Sequence, residues 1–276
     1  MARCPFAKWL PITGPVGNYV AGPYRIVHHT TEGVSAQGAL DAFRKNRSDP
    51  HFTVDQQTIY QHIDTGLAAR ALRNLAGGVE TNRLSAVQIE VVGTAAKPKP
   101  RATLENVARL CRWLERTHAI PNEWPSGPPK PAINGRDPGG HNRNAQNWVR
   151  RGGHYGHSHV PENIHWDPGY TADEVTFLTR FDPDNRTALQ DPAVAELRAG
   201  FPEEVPLTPE DIAIPDHAEG GEPGEIQYEE GAPGRMPALA RFVAPASAVV
   251  AAGAVFLSSY LMWRNKSGGR RKTRRR

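Results

Sequence analysis

The sequence predicts an α/β fold in which a single mixed β-sheet is flanked by helices. Short runs rich in β-branched residues recur at 25–30, 51–54, 58–62 and 87–92, and they have the length and composition of strands. Longer stretches with apolar residues at helical spacing lie between and after them. The sequence contains no internal repeat and no Gly-rich phosphate loop. We therefore expect one sheet, with its functional side chains at the strand ends.

Three helices are predicted around this sheet. The first covers residues 35–46, and the second begins with Thr103 as its cap and ends near residue 117. The third begins at Thr171, because Glu174 follows at the spacing of a capping box, and it ends near residue 179. The apolar stripe of the second helix consists of Val107, Leu110, Cys111 and Leu114.

Two segments supply side chains that bind transition metals. Residues 156–169 combine several histidines and an aspartate with glycines and prolines, and the strand at 25–30 ends with a pair of histidines. A catalytic zinc usually has three protein ligands, imidazole or carboxylate among them, and one open position. Two histidines and one aspartate therefore predict a catalytic zinc site. The competing interpretation is a His-rich surface loop together with a hydrogen-bonded core histidine at position 28.

Glu90 lies inside a run of β-branched residues, where a carboxylate is costly to bury without a partner. One interpretation is an edge-strand glutamate that points to solvent. The other is a general base that faces a metal site. The two histidine segments favour the second interpretation.

Three motifs in this order carry a family resemblance: Ile-Val-His28-His-Thr, then Ile-Glu90-Val-Val-Gly, then Gly-His157-Ser with Trp-Asp167-Pro-Gly behind it. Together they resemble the type 2 N-acetylmuramoyl-L-alanine amidases, a family that includes phage lysozyme-amidases and the peptidoglycan recognition proteins. The resemblance covers roughly residues 20 to 182. It implies the family's fold and a zinc-dependent peptidoglycan hydrolase that cuts the amide between N-acetylmuramic acid and L-alanine, as in endolysins and bacteriolysis. The alternative is a non-catalytic peptidoglycan-binding or membrane-perturbing protein on the same fold.

The resemblance also implies roles for individual residues. His28, His157 and Asp167 are the expected zinc ligands, Glu90 is the expected general base, and His165 is the expected stabiliser of transition-state charge. Neighbouring side chains on a strand point to opposite faces, so only one of His28 and His29 should reach the metal. The family pattern favours the first, and His29 is kept as a substrate-binding candidate.

A long insert, residues 121–153, separates the second predicted helix from the last motif. It is rich in Pro, Gly and Asn, and it forms either a wall of the substrate groove or a surface loop without a contact role. The candidate substrate-binding residues in it are Trp124, Asn134, Arg136 and His141, with Trp148 as a further aromatic side chain of the same wall.

The rest of the chain differs in composition. Acidic residues stand among prolines and glycines after residue 202, which predicts a disordered linker. A run of 22 residues without charge follows and is long enough to cross a bilayer as a helix, although a buried core helix would have a similar pattern. The predicted segments are an N-terminal extension (1–20), a zinc amidase domain (21–182), a linker (183–241), a transmembrane segment (242–263) and a basic tail (264–276).

Charge is concentrated in that tail. The final 13 residues contain eight of the 33 Lys and Arg and no acid, so the remaining chain has 25 basic and 29 acidic residues and a net charge of −4. A specific nucleic-acid partner is therefore disfavoured, and anionic lipid is the expected partner of the tail. The positive-inside rule puts the amidase domain outside the cytoplasm, but the first residues do not resemble a signal peptide. We expect action at the cell wall, either from an extracytoplasmic position or after release on lysis.

Overall fold

A six-stranded mixed sheet forms the centre of the structure, a computed structural model that describes residues 2–204. The strands are β1 (Lys8–Trp9), β2 (Gly17–Asn18), β3 (Arg25–Thr30), β4 (Phe52–Val54), β5 (Ile59–Gln61), β6 (Leu67–Ala68), β7 (Ala86–Val91) and β8 (Gly153–Gly156). The helices are α1 (Ala36–Asn46), α2 (Arg101–His118), α3 (Ala145–Arg150), α4 (Ala172–Arg180), α5 (Arg186–Leu189) and α6 (Pro192–Gly200), with a 3-10 helix at His157–His159.

The sheet has the order β1-β5-β4-β7-β3-β8, and β2 pairs with β6 in a separate ribbon. The strands β4, β7, β3 and β8 are parallel, whereas β5 runs antiparallel to β4. The predicted class, one mixed sheet flanked by helices, is therefore present. Parallel neighbours bring the carboxyl ends of β3, β7 and β8 to one edge, where residues after a strand meet.

Both faces of the sheet are buried. Ile26 and Ile89 belong to a core that also contains Leu110 of α2, and α2 in turn packs against α4. Val27 and Tyr155 belong to a second core on the opposite face. Burial of each large aliphatic side chain contributes roughly 1.5–3 kcal/mol. As a result all six residues of β3 are buried, and the strand has no solvent-facing side.

Local sequence signals account for most helix ends. The Ser35 hydroxyl accepts a hydrogen bond from the Gly38 amide at the start of α1, and α4 begins with the predicted capping box of Thr171 and Glu174. Helix α2 begins two residues before its predicted cap. Thr103 is buried in its first turn, and Pro100 occupies the cap position without a side-chain bond.

The chain before and after the predicted domain contributes to the fold. Strand β1 lies in the N-terminal extension and pairs with β5 at the edge of the sheet. Helix α6 lies where the linker was predicted to begin, because Val194 and Phe201 bury apolar surface and Phe201 contacts Phe177 at 5.2 Å between ring centroids. Helices α5 and α6 thus lie within the range predicted as linker, 183–241.

The predicted membrane segment can be compared with the structure only where residues are described. No helix within residues 2–204 is long and apolar enough to cross a bilayer. The predicted transmembrane segment at 242–263 and the basic tail at 264–276 lie outside the described residues.

Candidate active site

The register of two central strands brings a histidine and a glutamate together. His29 of β3 pairs with Glu90 of β7, and register partners on parallel strands share a face. The Nδ1 atom of His29 lies 3.8 Å from Oε1 of Glu90, and both side chains are almost fully buried. The site therefore begins as a buried imidazole–carboxylate pair at the end of the sheet.

The segment after β8 adds two more groups. The Nδ1 atoms of His29 and His157 are 3.1 Å apart, and Nδ1 of His157 lies 3.2 Å from Oδ1 of Asp167. Oδ2 of Asp167 lies 3.9 Å from Nδ1 of His29 and accepts a hydrogen bond from the Thr30 amide at 3.0 Å. The three potential ligand atoms lie within 4.8 Å of one another. Two imidazoles and one carboxylate thus meet at one point.

Hydrogen bonds around His157 orient its Nδ1 toward this point. Nε2 of His157 lies 3.0 Å from Oδ1 of Asn163, and the Asn163 amide nitrogen donates to the backbone oxygens of Arg73 and Pro161. Since Oδ1 of Asn163 only accepts, Nε2 of His157 is the donor, and Nδ1 is the ring nitrogen that faces His29 and Asp167. This is the usual arrangement of a metal-binding histidine, whose other nitrogen is fixed by an outer partner.

An unpaired atom gives a second indication of a ligand-binding site. Among residues 2–204, Oε2 of Glu90 is buried without a hydrogen-bond partner; Nε2 of His29 is also unpaired, but it is not the nitrogen that faces His157 and Asp167. Buried polar atoms are rarely left unsatisfied in native proteins, and the exceptions often have a catalytic or ligand-binding role. The donor set of two histidines and one aspartate is one that zinc accepts.

Burial sets the protonation states of the cluster. Burial lowers the pKa of His29 well below its ordinary value, and His157 lowers it further, so His29 is the neutral imidazole that a metal requires. Burial would raise the pKa of Asp167, but the three histidines around it outweigh that effect and hold the pKa far below the ordinary range. Burial raises the pKa of Glu90 well above its ordinary value, and the carboxylates of Asp167 and Glu32 add to the shift.

The structure does not bring His28 to this cluster. His28 lies on the opposite face of β3, where its Nε2 is 3.0 Å from Nδ1 of His154 and its ring contacts Trp124. The structure therefore does not bring the predicted ligand His28 together with His157 and Asp167, and His29 lies beside them instead. The two histidines point to opposite faces of β3, as alternation predicts, but both faces are buried, so burial does not distinguish them.

The other predicted site residues divide into two groups. Glu90 lies in the cluster, and the exposed His165 stacks on His157 with 4.7 Å between ring centroids. The structure does not bring the predicted substrate residues of the insert together with the cluster. The insert residues lie elsewhere: Trp124 packs on His28, Asn134 and Arg136 are exposed on a turn, His141 pairs with Asp137 at 2.7 Å, and Trp148 is fully buried in the core.

Sequence reasoning missed Asn163 and His154. Asn163 stands in a Pro-Glu-Asn stretch whose composition indicates only a turn, and its role depends on hydrogen bonds to His157 and to the distant Arg73. His154 is on β8 opposite Ile26 of β3, and this register places it on the same face as His28. The sequence did not give that register, because β8 lies at the end of the insert and was not predicted as a strand.

Buried metal-ligand groups that face an acid are typical of metal-dependent hydrolases. The family model described as N-acetylmuramoyl-L-alanine amidase matches residues 21–170, more than half of the chain. The chain belongs to this family. At the level of the family it is a peptidoglycan amidase that acts on the cell wall.

Several solved structures are similar to this one in part. The hydrolase AmiA of Staphylococcus aureus, in complex with its ligand, has a TM-score of 0.44 and 15% identity, covering 64% of this chain and 83% of its own. The N-acetylmuramoyl-L-alanine amidase LysC of Clostridium intestinale has a TM-score of 0.40 and 16% identity, covering 63% and 96%. A mutant endolysin from Bacillus subtilis has a TM-score of 0.31 and 26% identity, covering 42% and 78%. No curated protein gives a significant match to the chain.

Proposed function

We propose that the chain is a zinc-dependent N-acetylmuramoyl-L-alanine amidase that cleaves the amide between N-acetylmuramic acid and L-alanine. His29, His157 and Asp167 are the zinc ligands, and Glu90 is the general base. The observation that supports this most strongly is the meeting of these three ligands beside a buried glutamate with an unpaired oxygen. Family membership supplies the substrate class.

The proposed roles follow from position and charge. A zinc ion held by these ligands supplies Lewis acidity and lowers the pKa of water toward about 7. Glu90 takes the proton of the attacking water through its unpaired Oε2 and later delivers it to the leaving nitrogen of L-alanine. A raised pKa suits this double role, because the group must accept a proton and then release it.

His165 is the proposed stabiliser of the negative charge that develops on the carbonyl oxygen. Its ring is exposed and stacks on His157, so it lies on the solvent side of the ligand cluster. An imidazole N–H directed at a developing oxyanion acts mainly in the transition state, where it accelerates the reaction. Asn163 does not touch substrate in this proposal and only positions His157.

The test of this function is a product analysis on purified peptidoglycan with the full-length protein. An amidase of this specificity releases new N-terminal alanine amino groups and creates no new reducing sugar ends. We expect the amino groups to rise with time and to stop rising when zinc is chelated. New reducing ends would instead indicate a glycosidase. Binding to the wall without either product would support the non-catalytic alternative.

We also infer that the protein attaches to a membrane as a cell-wall lytic, endolysin-like enzyme. This inference rests on the sequence of residues 242–263, which contains no charge over 22 residues and is followed by the basic tail. The tail would bind anionic lipid headgroups beside the span. The amidase domain then acts at the cell wall, either outside the membrane or after lysis exposes it.

The membrane proposal predicts that the full chain stays with the membrane fraction in alkaline carbonate. Replacing Val250 and Val255 by arginine makes the free energy of membrane insertion less favourable by roughly 5–7 kcal/mol, because each arginine near the centre of a transmembrane helix costs about 2.5–3.5 kcal/mol. We expect this double variant to appear in the soluble fraction, while a control with leucine at both positions stays in the membrane. Extraction of the unaltered chain by carbonate would contradict the proposal.

A further inference from the structure

A second group of metal-binding side chains lies on the sheet face opposite the candidate active site. It consists of His28 on β3, His154 on β8 and Cys111 on α2. Their relative exposures are 0%, 2% and 0%, and their potential ligand atoms lie within 4.8 Å of one another. Nε2 of His28 and Nδ1 of His154 are 3.0 Å apart. The group thus connects two neighbouring strands to the helix that covers them.

Outer partners hold both imidazoles with one nitrogen directed toward this point. Nε2 of His154 lies 2.9 Å from Oε1 of Glu115, which also pairs with Arg112. Nδ1 of His28 lies 3.3 Å from the Tyr170 hydroxyl. A carboxylate or hydroxyl on the remote nitrogen is the usual support of a metal-binding histidine. Nε2 of His28 and Nδ1 of His154 are the nitrogens left to face Cys111.

The donor set and spacing match a zinc ion. Zinc binds thiolate sulfur at about 2.3 Å and imidazole nitrogen at about 2.0–2.1 Å, so tetrahedral ligands lie about 3.3–3.6 Å apart. The two nitrogens, which are 3.0 Å apart, would move apart by a few tenths of an ångström. The Cys111 sulfur, which lies within 4.8 Å of both, would move closer by up to about an ångström. Zinc with one thiolate would bring a net charge of +1 into a dry interior, and the nearest carboxylate, Glu115, is bonded to His154 but is shared with Arg112.

A hydrogen-bond chain without metal is the competing explanation. Tyr170 can donate to His28, His28 to His154 and His154 to Glu115, which satisfies every nitrogen in the chain. In that chain Cys111 is only a core side chain of α2, although its sulfur lies within 4.8 Å of a nitrogen of each imidazole. The metal site uses all three groups.

We propose that His28, Cys111 and His154 bind a second zinc ion, which ties β3 and β8 to α2 and is separate from the proposed catalytic zinc. Binding requires the Cys111 thiolate and neutral imidazoles, so one proton from the thiol is released to solvent when the ion enters. Because this centre is buried on the far face of the sheet, its role is structural, and it is filled as the chain folds.

The test uses cobalt, which replaces zinc and gives a near-ultraviolet charge-transfer band only when a thiolate is a ligand. The proposed catalytic set contains no sulfur, and the chain has only one other cysteine, Cys4. We expect the full-length protein to bind two Co²⁺ ions and to show this band. The Cys4→Ser variant should keep the band, whereas Cys111→Ser should lose both the band and one ion.

The thiolate band and peptidoglycan cleavage test the second zinc site and the proposed amidase function independently. His29→Gln should keep the thiolate band while it loses peptidoglycan cleavage, because the two sites use different faces of β3. A folded, unaltered protein that binds Co²⁺ without the thiolate band would overturn the second site and leave the hydrogen-bond chain as the explanation. This result needs no variant, so a failure of Cys111→Ser to fold does not affect the test. Loss of the band in Cys4→Ser would also overturn the assignment.

Discussion

Replacing Glu90 by glutamine is expected to lower the rate of peptidoglycan cleavage about 10²–10⁴-fold, the range typical for loss of a general acid or base. The amide has nearly the shape of the carboxylate but cannot accept the proton of the attacking water. Glu90 lies beside the ligand cluster and is not one of its three members, so zinc content should stay at the level of the unaltered protein. Product release on purified wall and metal analysis measure the two effects.

A matched control exists in the same domain. Glu174 is also fully buried, but it lies at the start of α4, where its carboxylate accepts hydrogen bonds from the amides of Lys99 and Thr171. The two bonds end on different oxygens of Glu174, so the single amide oxygen of Glu174→Gln can accept only one of them. We therefore expect a loss of thermal stability but near-normal cleavage in the folded variant, because Glu174 lies outside the ligand cluster. Full activity in Glu90→Gln would remove Glu90 from the mechanism and point to another base.

The second large effect on cleavage is expected from replacing one of the two adjacent histidines of β3. His29→Gln should lose the catalytic zinc and with it cleavage, by more than the 10–100-fold that loss of an outer partner usually costs. His28→Gln changes the same residue type one position earlier on the other face of the sheet. It should lose the proposed second zinc, of which His28 is a ligand, but a folded variant should keep the catalytic zinc and cleavage within about tenfold, which is the size of an indirect effect through packing.

Zinc content and cleavage are measured on both variants after thermal melting confirms that each is folded. The two variants distinguish the two assignments of the zinc ligand, because the family resemblance favours His28 and the geometry of the cluster favours His29. Loss of cleavage in a folded His28→Gln together with normal cleavage in His29→Gln would reverse the assignment. It would also mean that Glu90 of β7 pairs with a residue of β3 other than His29.

Local signals in the sequence were sufficient for the four strands β3, β4, β5 and β7 of the sheet and for the helices α1 and α4, but the strands β1 and β8 and the helices α3, α5 and α6 were not predicted. The strand at 25–30 has its predicted bounds, and Thr171 with Glu174 forms the predicted capping box. These features depend on short-range patterns, which is why they could be predicted. The start of α2 could not be predicted in this way, because the Thr103 side chain is buried in the core and Pro100 occupies the cap position instead.

The site was predictable in its residue types but only partly in its geometry. His157, Asp167 and Glu90 were identified from motifs, and they lie together. The choice between His28 and His29 depends on which buried face of β3 meets β8 and the turn after it, which a strand buried on both sides does not reveal. Trp148 was expected at a groove, but it packs against Tyr155 in the core because an isolated Trp has the same composition signal in either place.

The central claim is that His29, His157 and Asp167 hold one zinc ion next to Glu90. An anomalous difference map at the zinc absorption edge, from crystals of the purified protein, tests it most directly. We predict a peak about 2.0–2.2 Å from both Nδ1 atoms and an Asp167 oxygen. A zinc-loaded, active protein whose map lacks a peak at these three residues would contradict the account, even if density appears between His28, Cys111 and His154.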